Sequence, residues 1–194
     1  MSALIALDVA LLLPPGPRET AIQASANLPA EESQGLRLDD EHLPHITLMQ
    51  QFVRADEIEA ALDRIDETLR GQRPVHVKVT GGGKSGRAVW MAIEQTDAIA
   101  GLHERLMEHL RGLERPAGTA AAFFEGDARV SDVAWVTGYR LKSSLSAYTP
   151  HVTLGHAAHP PVIAPFSFEA AAIAACHLGR FCSCRRVLRN WELI

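Results

Sequence analysis

The chain repeats a pentapeptide: Pro44-His45-Ile46-Thr47-Leu48 in its first half returns as Pro150-His151-Val152-Thr153-Leu154 in its second. Proline removes a backbone donor and fixes its own φ, so each copy reads as the start or edge of a strand. Alternate side chains of a strand share a face. His45 and Thr47 then point one way while Ile46 and Leu48 point the other, and His151 and Thr153 stand in the same relation to Val152 and Leu154. Each copy is half core and half polar front. A fold that carries both needs two strands from distant parts of the chain, each with an apolar back.

The surrounding pattern supplies such a fold. Leu4 to Leu13 is a short apolar run, interrupted by Asp8 and closed by Pro14, Pro15 and Pro17, and it reads as a buried strand. Pro17 suits a helix start and Pro29 its end. Residues 35–53 read as extended. Asp56 as a cap, with Ile58, Leu62, Ile65 and Leu69 on one face, predicts a helix that Gly71 ends. Residues 74–79 and 88–93 read as strands joined by a hairpin connection containing Gly81, Gly82, Gly83 and Gly86. A second amphipathic helix is predicted over 97–110, with Ile99, Leu102, Leu106 and Leu110 inward. Residues 112–147 show no clear period and predict short helical or irregular pieces. Residues 148–155 read as a strand, and two or three more follow from Phe166 onward. Strands interleaved with helices, with several strand-to-strand neighbours, indicate an α+β fold and exclude a strict βαβ array.

Composition narrows the function. At 194 residues, 47% hydrophobic and 22% charged, the chain can build the core of one domain, or of two small lobes sharing a cleft. No apolar run reaches the roughly 20 residues that span a bilayer. No basic residue precedes the first apolar stretch as in a secretory signal, so a cytoplasmic protein away from membranes is expected. Nineteen basic against 23 acidic side chains give a net charge of −4, which disfavours a long duplex or long RNA partner. Cys176, Cys182 and Cys184 form an odd, clustered set and no disulfide framework. A zinc site from Cys176, His177, Cys182 and Cys184 lacks the usual Cys-x-x-Cys spacing, so buried free thiols are the preferred reading, and no metal or cofactor is expected.

Two His-x-Thr strands suit one chemistry well. Imidazole titrates near pH 6.5, so one copy can be neutral and take a proton while the other is charged and gives one. Phosphodiester cleavage by general acid–base catalysis needs that pair: a base for the attacking oxygen and an acid for the departing one. The two threonine hydroxyls can donate to the non-bridging phosphate oxygens, where charge builds in the transition state. Either imidazole can serve as the base.

On these motifs the chain resembles the two-histidine (2H) phosphoesterase superfamily, which includes 2′-5′ RNA ligase-like proteins and RNA 2′,3′-cyclic phosphodiesterases. The family is defined by two His-x-[Thr/Ser]-apolar motifs, both complete here. The resemblance implies a bilobal α+β fold over residues 1–194, in which two pseudo-symmetric lobes of antiparallel sheet and helices face a central cleft and each contributes one motif. It also implies His45 and His151 as catalytic residues and Thr47 and Thr153 as phosphate-binding residues. Metal-independent opening of 2′,3′-cyclic phosphates on short RNA ends or small nucleotides is the implied activity, with 2′-5′ ligation or nucleotide binding without turnover as alternatives. The chain departs from the RNA cyclic phosphodiesterase group after each motif, with Met49-Gln50-Gln51-Phe52 in place of arginine-phenylalanine-leucine-glycine and Gly155-His156 in place of alanine-arginine.

Further substrate contacts are sought in Tyr148, which precedes the second motif and can stack on a base, and in Lys84 or Arg87, which can clamp a phosphate from the glycine hairpin. Gly83-Lys84-Ser85 is no phosphate-binding loop, because Lys78 stands where such a loop needs its first glycine. His156 has the opposite strand parity from His151 and is expected to face away. Phe123, Phe124 and Trp135 are assigned to the core.

Overall fold

The computed structural model describes residues 3–194. Its strands, numbered along the chain, are β1 (Leu4–Leu12), β2 (His45–Arg54), β3 (Val75–Ser85), β4 (Ala88–Ile93), β5 (His151–His156), β6 (Phe166–Ala170), β7 (Ala172–Leu178) and β8 (Cys184–Glu192). The α-helices are α1 (Pro15–Ala26), α2 (Ile58–Leu69), α3 (Asp97–His109) and α4 (Val130–Lys142). The strands form two four-stranded sheets, β2-β1-β7-β8 and β5-β4-β3-β6, and every pairing in them is antiparallel. With the helices this is an α+β, bilobal fold.

Each motif stands on an edge strand, the first on β2 and the second on β5, and these two edges lie beside one another without pairing. Alternation along them follows the residue types. Ile46, Leu48, Val152 and Leu154 are fully buried, whereas His45, Thr47, His151 and Thr153 are partly open. Burying each such aliphatic side chain is worth about 1.5–3 kcal/mol, so the apolar backs anchor the strands whose fronts carry the polar pairs. One apolar core runs through both lobes.

Several expectations needed correction. The glycines at 81–83 do not connect two strands but lie within β3, and the turn falls at Gly86, whose φ is +58°. Gly83 is required by a close approach, since a Cβ there would collide with the Trp90 indole. Asp56 makes no cap; it lies in a 3-10 turn, Ala55–Glu57, that leads into α2. Residues 35–42 form no strand, and only an isolated bridge from Leu43 to Cys184 precedes β2. The segment 112–147 holds the end of one 3-10 turn, three more such turns and a full helix, α4. Its sequence hides it, because Val130, Val133, Val136, Thr137 and Gly138 are poor helix formers. Packing of Val136 and Tyr139, together with the Asp132 carboxylate accepting the Arg129 backbone N–H at 2.9 Å, holds it in place. Among the described residues no helix is long and apolar enough to cross a membrane.

Candidate active site

The fronts of β2 and β5 open into one cavity of about 500 Å³, lined by His45 and Thr47 from one lobe and His151 and Thr153 from the other. Trp90, Trp135, Arg129 and His156 complete much of its wall. A wider recess of about 950 Å³ between α1 and residues 157–163 holds neither motif. Its Glu32 is already engaged by Arg87 and by the Ala158 N–H.

Backbone geometry fixes both imidazoles in the same way. His45 Nδ1 lies 2.7 Å from the Leu43 carbonyl, and His151 Nδ1 lies 2.8 Å from the Thr149 carbonyl. A carbonyl only accepts, so Nδ1 carries a proton in both rings and Nε2 is the nitrogen left to gain or lose one. Leu43 and Thr149 each precede the motif's proline, which holds them extended, and the repeated proline thereby sets the tautomer of the histidine after it.

Beyond that, the two histidines differ. His45 Nε2 is 3.3 Å from Oδ2 of Asp8, a fully buried carboxylate on β1. The same oxygen accepts from Thr47 Oγ1 at 3.1 Å and Gln50 Nε2 at 3.2 Å. Gln50 in turn accepts from Trp135 Nε1 at 2.9 Å. Thr47 and Gln50 reach the same carboxylate because the β1–β2 register shifts between Val9 and Ala10, which brings two residues three apart onto one face. Burial disfavours a charged His45 ring, but the Asp8 carboxylate and the Leu43 carbonyl outweigh it and hold the pKa above the ordinary histidine value. Among the described residues no carboxylate acts on His151. Its ring packs 5.2 Å from that of Trp90. Burial, with the nearby His45 charge, lowers its pKa against the opposing pull of the Thr149 carbonyl.

Not every residue expected at the site is there to meet a ligand. Lys84 Nζ is bonded to the Ala158 carbonyl at 2.5 Å and Arg87 to Glu32 at 3.2 Å, and neither lines the cavity. Tyr148 does line it, but one ring face is stacked on His103 at 3.9 Å and its hydroxyl donates to the Thr47 carbonyl at 2.9 Å. That side chain braces the first motif from the second lobe. His156, expected to face away, lines the cavity. The β4–β5 register shifts between Val89 and Trp90, where Gly155 takes a φ of +149°, so the parity after Thr153 is reset. Trp135 is no core residue but stands half-exposed at the cavity wall.

Two members escaped sequence reasoning. Arg129 is the one lysine or arginine lining the cavity among the described residues, with its guanidinium 3.9 Å over the Phe181 ring and paired to Asp132 at 2.6 Å. No sequence signal marks it. Asp8 was visible only as an interruption of an apolar strand, and a charged residue in the middle of such a strand is itself the signal.

Comparison with known proteins agrees with this architecture. A model of the 2′-5′ RNA ligase superfamily matches residues 14–178. No curated protein matches the sequence. Among solved structures, E. coli LigT complexed with 3′-AMP is 20% identical with a TM-score of 0.64, over 98% of each chain. The complex of E. coli LigT with NADP+ gives 18% and 0.63, again over 98% of each chain. TT0787 of Thermus thermophilus gives 16% and 0.64, over 97% of this chain and 98% of that one.

Proposed function

The chain belongs to the 2′-5′ RNA ligase superfamily, and from that premise we propose that it opens 2′,3′-cyclic phosphates of RNA ends or small nucleotides by paired-histidine acid–base catalysis, without a metal. The observation that carries this reading is that two imidazoles facing one cavity, each held at Nδ1 by a backbone carbonyl, stand in unlike settings, a buried carboxylate beside His45 and an indole beside His151.

In this reading His151 is the base and His45 the acid. His151, held neutral by burial, presents the Nε2 lone pair to water. It takes one proton as the water oxygen bonds to phosphorus. The bond from phosphorus to one ribose oxygen breaks, and that oxygen takes the Nε2 proton of His45, which Asp8 keeps charged until then. The product is a phosphomonoester, and both rings return to their starting states through solvent. Thr153, whose hydroxyl has no partner among the described residues, donates to a non-bridging oxygen. Thr47, which donates to Asp8 at rest, turns to the other. Arg129 adds positive charge to the wall. The nucleotides bound to E. coli LigT support a nucleotide-sized ligand here, and a cavity of about 500 Å³ suits one nucleotide at the chain end better than a duplex.

Turnover of a panel of nucleoside 2′,3′-cyclic phosphates and short RNAs with cyclic ends tests the proposal. The expected result is a bell-shaped pH profile unaffected by chelator, with His151 governing the acidic limb and His45 the alkaline one. Inertness toward the whole panel, or loss of activity on chelation, would overturn it.

A further inference from the structure

We propose that the first motif doubles as a binding site for a divalent cation of the zinc class, held by Asp8, His45 and Cys184, and that the ion switches the enzyme off by occupying the nitrogen that donates the proton. The inhibitory half rests on the function proposed above; the binding half does not.

Three ligand atoms, one from each residue, lie within 4.8 Å of one another. His45 Nε2 is 3.3 Å from Asp8 Oδ2, and Cys184 Sγ is 4.0 Å from the same oxygen. Tetrahedral zinc ligands sit roughly 3.3–3.6 Å apart at ordinary bond lengths, so an inward shift of the sulfur by about an ångström or less completes the set. One nitrogen, one carboxylate oxygen and one sulfur select zinc over magnesium or calcium, which take oxygen throughout.

Two further features point the same way. His45 already donates its other ring N–H to a backbone carbonyl at 2.7 Å, the outer contact that fixes Nε2 as a ligand atom. Asp8 is fully buried, and while Oδ2 is crowded with donors, Oδ1 has no hydrogen-bond partner among the described residues. A carboxylate so placed is short of positive charge whenever His45 is neutral, and a cation supplies it. Cys184, buried beside Cys176 and Asp8, is a thiol at rest because burial pushes its pKa well up. The ion therefore displaces the Cys184 Sγ proton and, where His45 is charged, its Nε2 proton, and both pass to solvent. His45 lines the cavity, which gives the ion a way in.

This is not the cysteine-rich site considered from sequence. There, His177 Nε2 is bonded to the Ala122 carbonyl and Cys182 Sγ to the Asp132 carbonyl, and among the described residues those four do not form a ligand cluster.

Metal binding and inhibition are measured together on the full chain. Stoichiometric Zn²⁺ should bind one per chain, release protons and abolish turnover, and a chelator should restore it. Cys184→Ala should keep its basal turnover and bind Zn²⁺ at least about 100-fold more weakly, beyond the usual loss for an outer-contact residue. Co²⁺ added to the wild type should give an intense near-ultraviolet thiolate band that Cys184→Ala lacks. Inhibition equally strong in Cys184→Ala, or a Co²⁺ adduct without the thiolate band, would overturn the site. If the cyclic-phosphate panel finds no turnover, the Co²⁺ band and the Zn²⁺ stoichiometry still decide the binding half. Thiolate-ligated, stoichiometric binding without inhibition would overturn the switch alone.

Discussion

The two His-x-Thr strands are near copies in sequence and unlike in setting. Both histidines lean on the carbonyl of the residue before the motif's proline, and both threonines share their histidine's face. What separates them is the neighbouring strand. β1 sets a buried carboxylate beside the first ring, while β4 sets an indole beside the second. A carboxylate favours the charged ring and burial the neutral one, so two near-identical pentapeptides hold one imidazole above the ordinary histidine pKa and the other below it. Chemical asymmetry in a repeated motif thus comes from residues outside the repeat.

The comparison is broken most severely by removing either ring. His45→Ala and His151→Ala should each lower kcat on a 2′,3′-cyclic nucleotide by about 10²- to 10⁴-fold, the usual worth of one proton-transfer group. Asp8→Asn tests what distinguishes the first ring. Without the carboxylate the His45 pKa falls, so the alkaline limb of kcat moves to lower pH while the acidic limb holds. On the alkaline side kcat drops about 10-fold for each pH unit of that movement. Trp90→Leu probes the second ring. Water then reaches His151, its pKa rises, and the acidic limb moves to higher pH, with a several-fold loss confined to acidic conditions. Tyr148→Phe sharpens the comparison from the side of structure. Loss of the hydroxyl bond to the Thr47 carbonyl should cost about 0.5–1.5 kcal/mol in denaturant unfolding and leave both limbs in place.

The frame of the site was legible from the chain, and its asymmetry was not. Proline, β-branched spacer and leucine at both copies specify two edge strands with apolar backs, and the strands at β2 and β5 have that form. The helix at 97–110 was equally plain, since its apolar stripe is regular. Elements written in poor propensity, such as α4, were invisible because tertiary packing holds them. Parity failed at His156 because a single-residue register shift at Gly155 cannot be counted from alternation. Arg129 reaches the wall only through the placement of that hidden helix. Asp8 becomes part of the site through strand order alone, which brings β1 beside β2.

The central claim is that His45 is charged where His151 is neutral. Imidazole ¹⁵N NMR titration, assigned with the two single-alanine variants, reads this directly. The predicted result is a His45 midpoint above that of His151, with an interval of pH in which His45 carries protons on both nitrogens and His151 on Nδ1 alone. Coincident midpoints, or the reverse order, would contradict it.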